Sequence, residues 1–305
     1  MSLLKMKAKF RLGKTAVISI PYTWMLLFFL VPFFIVLKIS FAEQALAIPP
    51  FTSLLQEEEG VIRGLSLYFG NFSFIFTDEL YAATYLSSLK VAFFTTVMCL
   101  LLGYPIAYAI ARTDPARRNI LLMLVMLPFW TSFLLRVYAW MGLLNENGLI
   151  NNFLLSLGVI SEPLHMFHTD FSLYLVMLYA YLPFMILPLY SHLVKMDVRL
   201  LEAAADLGAG PIKAFCAITL PLSKNGIIAG SMMVFIPAVG EFVIPELVGG
   251  TDTLMIGKVL WNEFFDNNNW PMAASVAIIM VLLLIVPIAL LHRFETRELE
   301  GKGNV

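Results

Sequence analysis

Six stretches of about 20 apolar residues decide what this chain can fold into. A bilayer core about 30 Å thick is crossed by an α-helix of roughly 20 residues rising 1.5 Å each. Stretches of that kind occupy residues 16–39, 87–111, 120–144, 171–193, 225–247 and 272–291. They explain why 60% of the 305 residues are hydrophobic and only 13% charged, against roughly 25% charged in soluble domains. The sequence therefore predicts an all-α membrane protein with six transmembrane helices. Pro105, Pro128, Pro183, Pro188, Pro237, Pro245 and Pro287 fall inside these stretches. They predict kinks, because neighbouring helices can satisfy the carbonyls that proline frees. The N-terminus begins basic and turns apolar, as a signal peptide does, but residues 16–39 exceed the roughly 7–15 apolar residues of a cleaved one. They read as a retained signal-anchor helix.

Six crossings put both termini on one side, and basic residues choose the side. Fifteen of the 20 Lys and Arg residues fall at 5–14, 112–118, 195–224 and 293–302. Only Lys38, Arg63, Lys90, Arg136 and Lys258 lie elsewhere. Lys/Arg-rich loops stay cytoplasmic, so both termini and the loop at 195–222 are expected in the cytoplasm. Acidic residues such as Glu57, Glu58, Glu59, Asp78 and Glu79 collect in the opposite loops. They would raise the local cation concentration, or they mark loops that simply lack lysine. The chain divides into 1–84 (N-terminus, first helix and outer loop), 85–291 (the main membrane domain, with the loop 195–222) and 292–305 (a tail). The outer loop 41–86 looks irregular, with Pro49-Pro50 followed by a charge run at 56–60, while residues 149–160 suit a short helix lying on the surface.

The cytoplasmic loop carries EAAADLGAGPIKAFCAITLPL at residues 202–222. Leu200, Ala203, Ala204 and Leu207 share one side of a short helix, and Glu202 and Asp206 another. Gly208-Ala209-Gly210 ends it. Pro211 suits the first turn of a second helix, where its missing N–H would be unpaired anyway. Ile212, Phe215 and Thr219 share one side of that second helix, which is expected to stop near Pro221. By periodicity alone this is either a compact knob or an amphipathic loop resting on the membrane.

The spacing Glu202-Ala203-Ala204, three residues, Gly208, nine residues, Ile218, one residue, Leu220-Pro221 resembles the EAA signature of the membrane subunits of bacterial ABC importers. LPFWTSFLLRVYAWMGLL (127–144) and VFIPAVGEFVIPELVGG (234–250) look like the matching spans of polyamine (putrescine/spermidine) permeases, closest to a putrescine permease. The resemblance implies a type I importer permease fold in the bacterial inner membrane, with Glu202, Ala203, Ala204, Gly208, Ile218, Leu220 and Pro221 coupling to an ATPase. It also implies the partners: two copies of an ATPase subunit carrying ATP and Mg, a second homologous permease, and a periplasmic substrate-binding protein, all around a chain embedded in membrane lipid. Nothing points to nucleic acid.

Charges inside spans cost roughly 2.5–3.5 kcal/mol at the bilayer centre and are functional candidates. Arg136 and Glu241 each lie about 16 residues into their spans, about 24 Å from the cytoplasmic end of a straight helix. They could form a structural ion pair. Alternatively Glu241 and Glu246 could accept ammonium groups, with Trp130, Tyr138 and Tyr181 offering ring faces for cation–π contact. Glu246 would join Glu241 at one cavity only if Pro245 breaks the helix. Aromatic residues near span ends also serve as interfacial anchors, a reading that suits Trp140, Trp261 and Trp270. Gly226 and Gly230 form a GxxxG, suited to close helix packing.

Catalysis is not indicated. The one Gly-Lys pair, Gly257-Lys258, lacks the rest of a phosphate-binding loop, so no cofactor is expected on this chain. His165, His168, His192 and His292 are scattered, and Cys99 and Cys216 lie in unlike segments, so neither a metal site nor a disulfide framework is expected. A rival reading is an ATP-independent cation channel or secondary transporter, which would be expected to show midplane charges and inverted repeats; neither is found. Others are a permease for a different small solute, or a membrane scaffold with no substrate path.

Overall fold

A computed structural model describes residues 17–58, 61–250 and 253–301. The basic residues at 5–14, Lys302, Glu59 and Asp252 lie outside the described residues, and for Arg63, Arg293 and Arg297 only the backbone is described. The chain forms two compact units. One takes in residues up to Asp78 together with Leu260–Val281, and the other takes in Glu79–Val259 and the chain from Leu282.

In the first unit, α1 (Val17–Ser40) is long and apolar enough to cross a membrane and has no buried residue in its most apolar window. It contains a π turn at Leu26–Leu30. Its carbonyl end is tied down: Asn71 Nδ2 donates to Ser40 O (3.3 Å) and Ala42 O (2.9 Å), and Ser275 Oγ donates to Ser40 O (3.0 Å). These side chains satisfy carbonyls that the helix end leaves unpaired. The loop expected to be irregular contains a short antiparallel hairpin, β1 (Leu55–Glu58) with β2 (Val61–Leu65), and then α2 (Gly70–Thr77). Among the described residues this hairpin is the only pair of strands, beside an isolated bridge between Gln44 and Phe51.

In the second unit three helices form the core: α3 (Glu79–Arg112), α7 (Asp170–Leu193) and α10 (Lys224–Val239). Between α3 and α7 lie α4 (Pro115–Met126), α5 (Phe133–Leu144) and α6 (Leu149–Ser156), the last being the short helix anticipated within 149–160. On α3, Val91, Thr95, Cys99, Gly103 and Ala107 are buried at every fourth position. Four of these five are small or polar, which lets α7 come close, and Met177, Met185, Ile186 and Leu189 of α7 are fully buried. The GxxxG of α10 packs on the same helix. A Cβ on Gly230 would lie 2.8 Å from Met185 Sδ and 3.1 Å from Met185 O, and one on Gly226 would lie 3.0 Å from His192 Cβ. Both cysteines are free, Cys99 buried and Cys216 exposed.

Overpacking a close helix crossing typically costs about 1–3 kcal/mol. Gly230→Leu should therefore lower the midpoint of thermal unfolding in detergent clearly. Gly142→Leu should leave it nearly unchanged, because a Cβ there meets nothing within 4 Å. Equal midpoints for the two variants would contradict the close α7–α10 packing.

Two expected spans are not straight. Pro115–Trp130 and Phe133–Ser156 meet at 88°, because Thr131 (ψ 154°) and Ser132 (ψ 137°) leave the helical region. Pro211–Leu222 and Lys224–Val239 meet at 65°. The helix α10 ends at Val239, and a separate α11 (Val243–Val248) follows. The break at 240–242 is upstream of Pro245, which sits buried within α11. Among the described residues three helices are long and apolar enough to cross, or five when each bent pair counts as one, and Trp270–Val286 is a shorter apolar helix.

Candidate coupling loop and cation site

The loop after α7 folds as two short helices at an elbow. In α8 (Arg199–Asp206) the last turn is closed by Gly208 N–H donating to Ala205 O and Ala209 N–H donating to Ala204 O, each 2.9 Å. This bond pair is a Schellman ending, which needs a left-handed residue at its turn. Gly208 supplies it with φ +79°. Pro211 then opens α9 (Pro211–Leu222), as its position after the glycine elbow predicts.

The knob has an outward and an inward side. Leu207 and Ile212 are 89% and 80% exposed at the elbow, and Glu202, Ala203, Leu220 and Pro221 are exposed as well; Ala204 and Ile218 are half-buried. The helix face bearing Leu200, Ala203 and Leu207 is thus turned outward. Inward, Phe215 meets Tyr104 and Tyr108 of α3 edge-on, with ring centroids 5.5 and 6.5 Å apart. Thr219 is buried, and the Tyr104 hydroxyl and Ser223 Oγ share a hydrogen bond of 2.7 Å. Phe215–Thr219 is a π turn, a local insertion often found at functional positions. A cavity of about 280 Å³ lies between the knob and α3, lined by Tyr108, Leu201, Ala205, Ala209 and Phe215 among others. Phe215, on the helix side that periodicity marks, is received by Tyr104 and Tyr108, and Ser223 completes the attachment to the core; no local pattern marks Tyr104, Tyr108 or Ser223 in the sequence.

The second candidate site forms at the 240–242 break. The Tyr181 hydroxyl on α7 donates to Glu241 Oε2 (2.6 Å), while Val243 N–H and Ile244 N–H donate to Glu241 Oε1 (3.0 and 3.4 Å). Glu241 thereby satisfies unpaired N–H groups at the start of α11, where a negative charge is also favoured. The backbone is held tightly from the other side. A Cβ on Gly257, in α12 (Ile256–Trp261), would lie 2.5 Å from Gly240 O and 2.8 Å from Glu241 O. Ser88 Oγ accepts from Ile256 N–H at 2.7 Å and anchors α12 to α3.

This geometry corrects two sequence expectations. Arg136 and Glu241 do not pair. The Arg136 guanidinium lies over the rings of Phe129 (5.2 Å) and Phe133 (5.7 Å), with Nε buried and without a hydrogen-bond partner. Their matched depth assumed two straight helices, and both are broken. Glu246 is not a free acceptor either, because Lys258 Nζ lies 2.6 Å from its Oε2. Of the residues proposed for a pathway, only Tyr181 and Glu241 touch. Trp130 and Tyr138 are 72% and 53% exposed and joined to neither. Among the described residues no group of three or more His, Cys, Asp and Glu could hold a metal. His165 instead sits 3.0 Å from Glu146, and His168 bonds Gly249 O.

Comparison with known proteins adds the family. The family model described as "binding-protein-dependent transport system inner membrane component" matches residues 14–298. The spermidine/putrescine transport system permease protein PotB of Haemophilus influenzae is 36% identical over 276 residues, covering 90% of this chain and 92% of that protein. PotB of Escherichia coli K12 is 41% identical over 207 residues, covering 68% and 75%. Among solved structures, a chain of a bacterial alginate ABC transporter in complex with an alginate pentasaccharide-bound periplasmic protein superposes with a TM-score of 0.70 at 16% identity, covering 97% of each chain. That likeness establishes a shared fold. The chain belongs to the family of inner-membrane components of binding-protein-dependent transport systems.

Proposed function

We propose that this chain is a permease subunit of a polyamine-importing ABC transporter, taking putrescine, spermidine or both. It crosses the inner membrane six times with both termini in the cytoplasm, each bent pair forming one crossing and the apolar Trp270–Val286 the sixth. It works beside a second, related permease, two ATPase subunits that bind ATP and Mg, and a periplasmic binding protein. The observation that carries the reading is the pairing of an outward-facing EAA knob with a carboxylate, Glu241, whose partners are neutral donors and whose charge is left for a cation. The relatives named for spermidine/putrescine transport supply the substrate class.

Closure of the ATPase pair would move the knob. Glu202, Ala203, Ala204 and Gly208 would form the gripped surface, with Ile218, Leu220 and Pro221 along its second helix. Phe215, wedged between Tyr104 and Tyr108, would pass the displacement to α3. Such coupling requires only that the knob contact the two ATPase states differently.

Copurification from membranes followed by reconstitution tests this. The chain should bring down an ATPase, and vesicles containing the complex and the binding protein should take up labelled putrescine or spermidine only with ATP. Uptake without ATP would instead establish a secondary transporter or channel.

A further inference from the structure

One hydroxyl beneath the knob is buried without a partner. Thr219 is 1% exposed, and its Oγ1 has no hydrogen-bond partner among the described residues. Thr84, Thr96 and Thr113 of α3 each donate to the carbonyl four residues back, the ordinary recourse of a helical threonine. For Thr219 that carbonyl belongs to Phe215, which accepts from Leu220 N–H across the π turn instead. Leaving a buried hydroxyl unpaired is costly, so the group calls for a state in which it is paired. The contacts between α3 and the knob show where a partner lies. They fall in rungs one helical turn apart. The Tyr104 hydroxyl and Ser223 Oγ make the first rung at 2.7 Å. Tyr108 follows four residues along α3, and Thr219 precedes Ser223 by four, its carbonyl accepting from Ser223 N–H at 3.0 Å. Both line one cavity of about 280 Å³, room for several water molecules. This second rung has the same pair of groups as the first, a phenol and an aliphatic hydroxyl, and it stands open.

We propose that Tyr108 and Thr219 are positioning residues for coupling: when the ATPase pair grips the knob, the cavity closes and the Tyr108 hydroxyl bonds Thr219 Oγ1. This rests on the knob being the surface that an ATPase grips. The Tyr104–Ser223 rung stays made and serves as the pivot, since Ser223 stands where Pro211–Leu222 and Lys224–Val239 meet at 65°. Ala205, Ala209 and Ala214 line the cavity, and side chains that small let its walls meet. Phe215 already touches both tyrosine rings edge-on, so the knob turns against α3 without leaving it. A bond made in one state and absent from the other stabilises the gripped state alone, the differential contact that a two-state device requires. In the resting state Thr219 carries the cost of the missing bond, which biases the knob toward closure.

The test uses the transporter assembled with its ATPase, in vesicles and in nanodiscs. Tyr108→Phe and Thr219→Val each remove one hydroxyl and keep the size of the side chain. In either variant uptake per ATP hydrolysed should fall about threefold to tenfold, the range for one hydrogen bond. The double variant should fall no further, because both changes remove the same bond. Thr219→Ser, which keeps the hydroxyl, should retain coupling. Thermal unfolding separates this role from a structural one. Without nucleotide both single variants should unfold at the parent midpoint or above it; with ATP and vanadate trapping the ATPase closed, they should unfold below the parent. Tyr104→Phe should lower the midpoint in both conditions, since its bond exists in both. Parent coupling in Thr219→Val overturns the proposal, as do losses that multiply in the double variant or midpoints that fall without nucleotide. If Thr219→Val does not assemble, Tyr108→Phe on the opposite wall decides by its coupling and its two midpoints. A chain that brings down no ATPase overturns the underlying reading and the proposal with it, whereas a coupled importer indifferent to Tyr108→Phe and Thr219→Val overturns the proposal alone.

Discussion

Replacing Gly208 with valine should leave an assembled transporter that hydrolyses ATP without importing. The position has φ +79° and nothing within 4 Å of where a Cβ would stand. The penalty is therefore one of backbone conformation rather than space. A non-glycine residue in the left-handed region costs roughly 1–2 kcal/mol, and a β-branched one more. The elbow can escape that strain only by giving up the two 2.9 Å bonds that close α8, and doing so re-aims Leu207 and Ile212. We expect uptake to fall about tenfold or more, since a 1.4 kcal/mol shift in the docking equilibrium is already a factor of 10. Stimulation of the ATPase by loaded binding protein should be lost with it. Asparagine tolerates the left-handed region better than other side chains, so uptake should rank Gly208, then Asn, then Ala, then Val. Wild-type uptake in Gly208→Val would remove the elbow from the coupling mechanism.

The knob was legible because its chemistry is local. A helix ending at a glycine and a helix starting at a proline are decided by backbone preferences within a few residues, and both appear where the spacing puts them. The interior of the spans was less legible. Apolar run length marks where the chain crosses, but it cannot show that Thr131-Ser132 or Gly240–Phe242 interrupts a run. The departure at Gly240–Phe242 is held by a distant group, Gly257 against the Gly240 and Glu241 carbonyls. The expected Arg136–Glu241 pair failed for this reason, since equal counts along two runs mean equal depth only on straight helices. The Lys258–Glu246 pair was missed because the partners lie twelve residues apart in the sequence, outside helical spacing. In the loop at 41–86, polar residues in β1 masked the hairpin.

The knob and the segment beside the Glu241 break pack against one helix, α3. Tyr104 and Tyr108 receive Phe215 toward the carboxyl-terminal end of α3, and Ser88, nearer the start of the same helix, anchors Ile256 beside the break that carries Glu241. The helix α7 meets Gly230 and Gly226 through Met185 and His192 and reaches Glu241 through Tyr181. Packed contacts thus lead from Phe215 through α3, and from Gly226 and Gly230 through α7, toward Glu241.

Loss of one charge at Glu241 should nearly abolish polyamine uptake while leaving the fold intact. Glu241→Gln keeps the size and an acceptor oxygen, so Tyr181 or the α11 backbone retains a partner and the break at 240–242 stays closed. What disappears is the attraction for an ammonium. A hydrogen bond to a charged group contributes about 1.5–3 kcal/mol, which corresponds to roughly tenfold to a hundredfold in affinity. The loss should lie near the top of that range, because Glu241 is only partly exposed and water replaces the lost charge poorly. Tyr181→Phe should act more mildly, a few-fold, because it removes one neutral donor and leaves the charge in place. Thermal unfolding of the two variants should match the parent within a few degrees, which separates loss of function from loss of fold. Uptake at the parent rate in Glu241→Gln would show that the substrate takes another route and would leave Glu241 as a cap for α11.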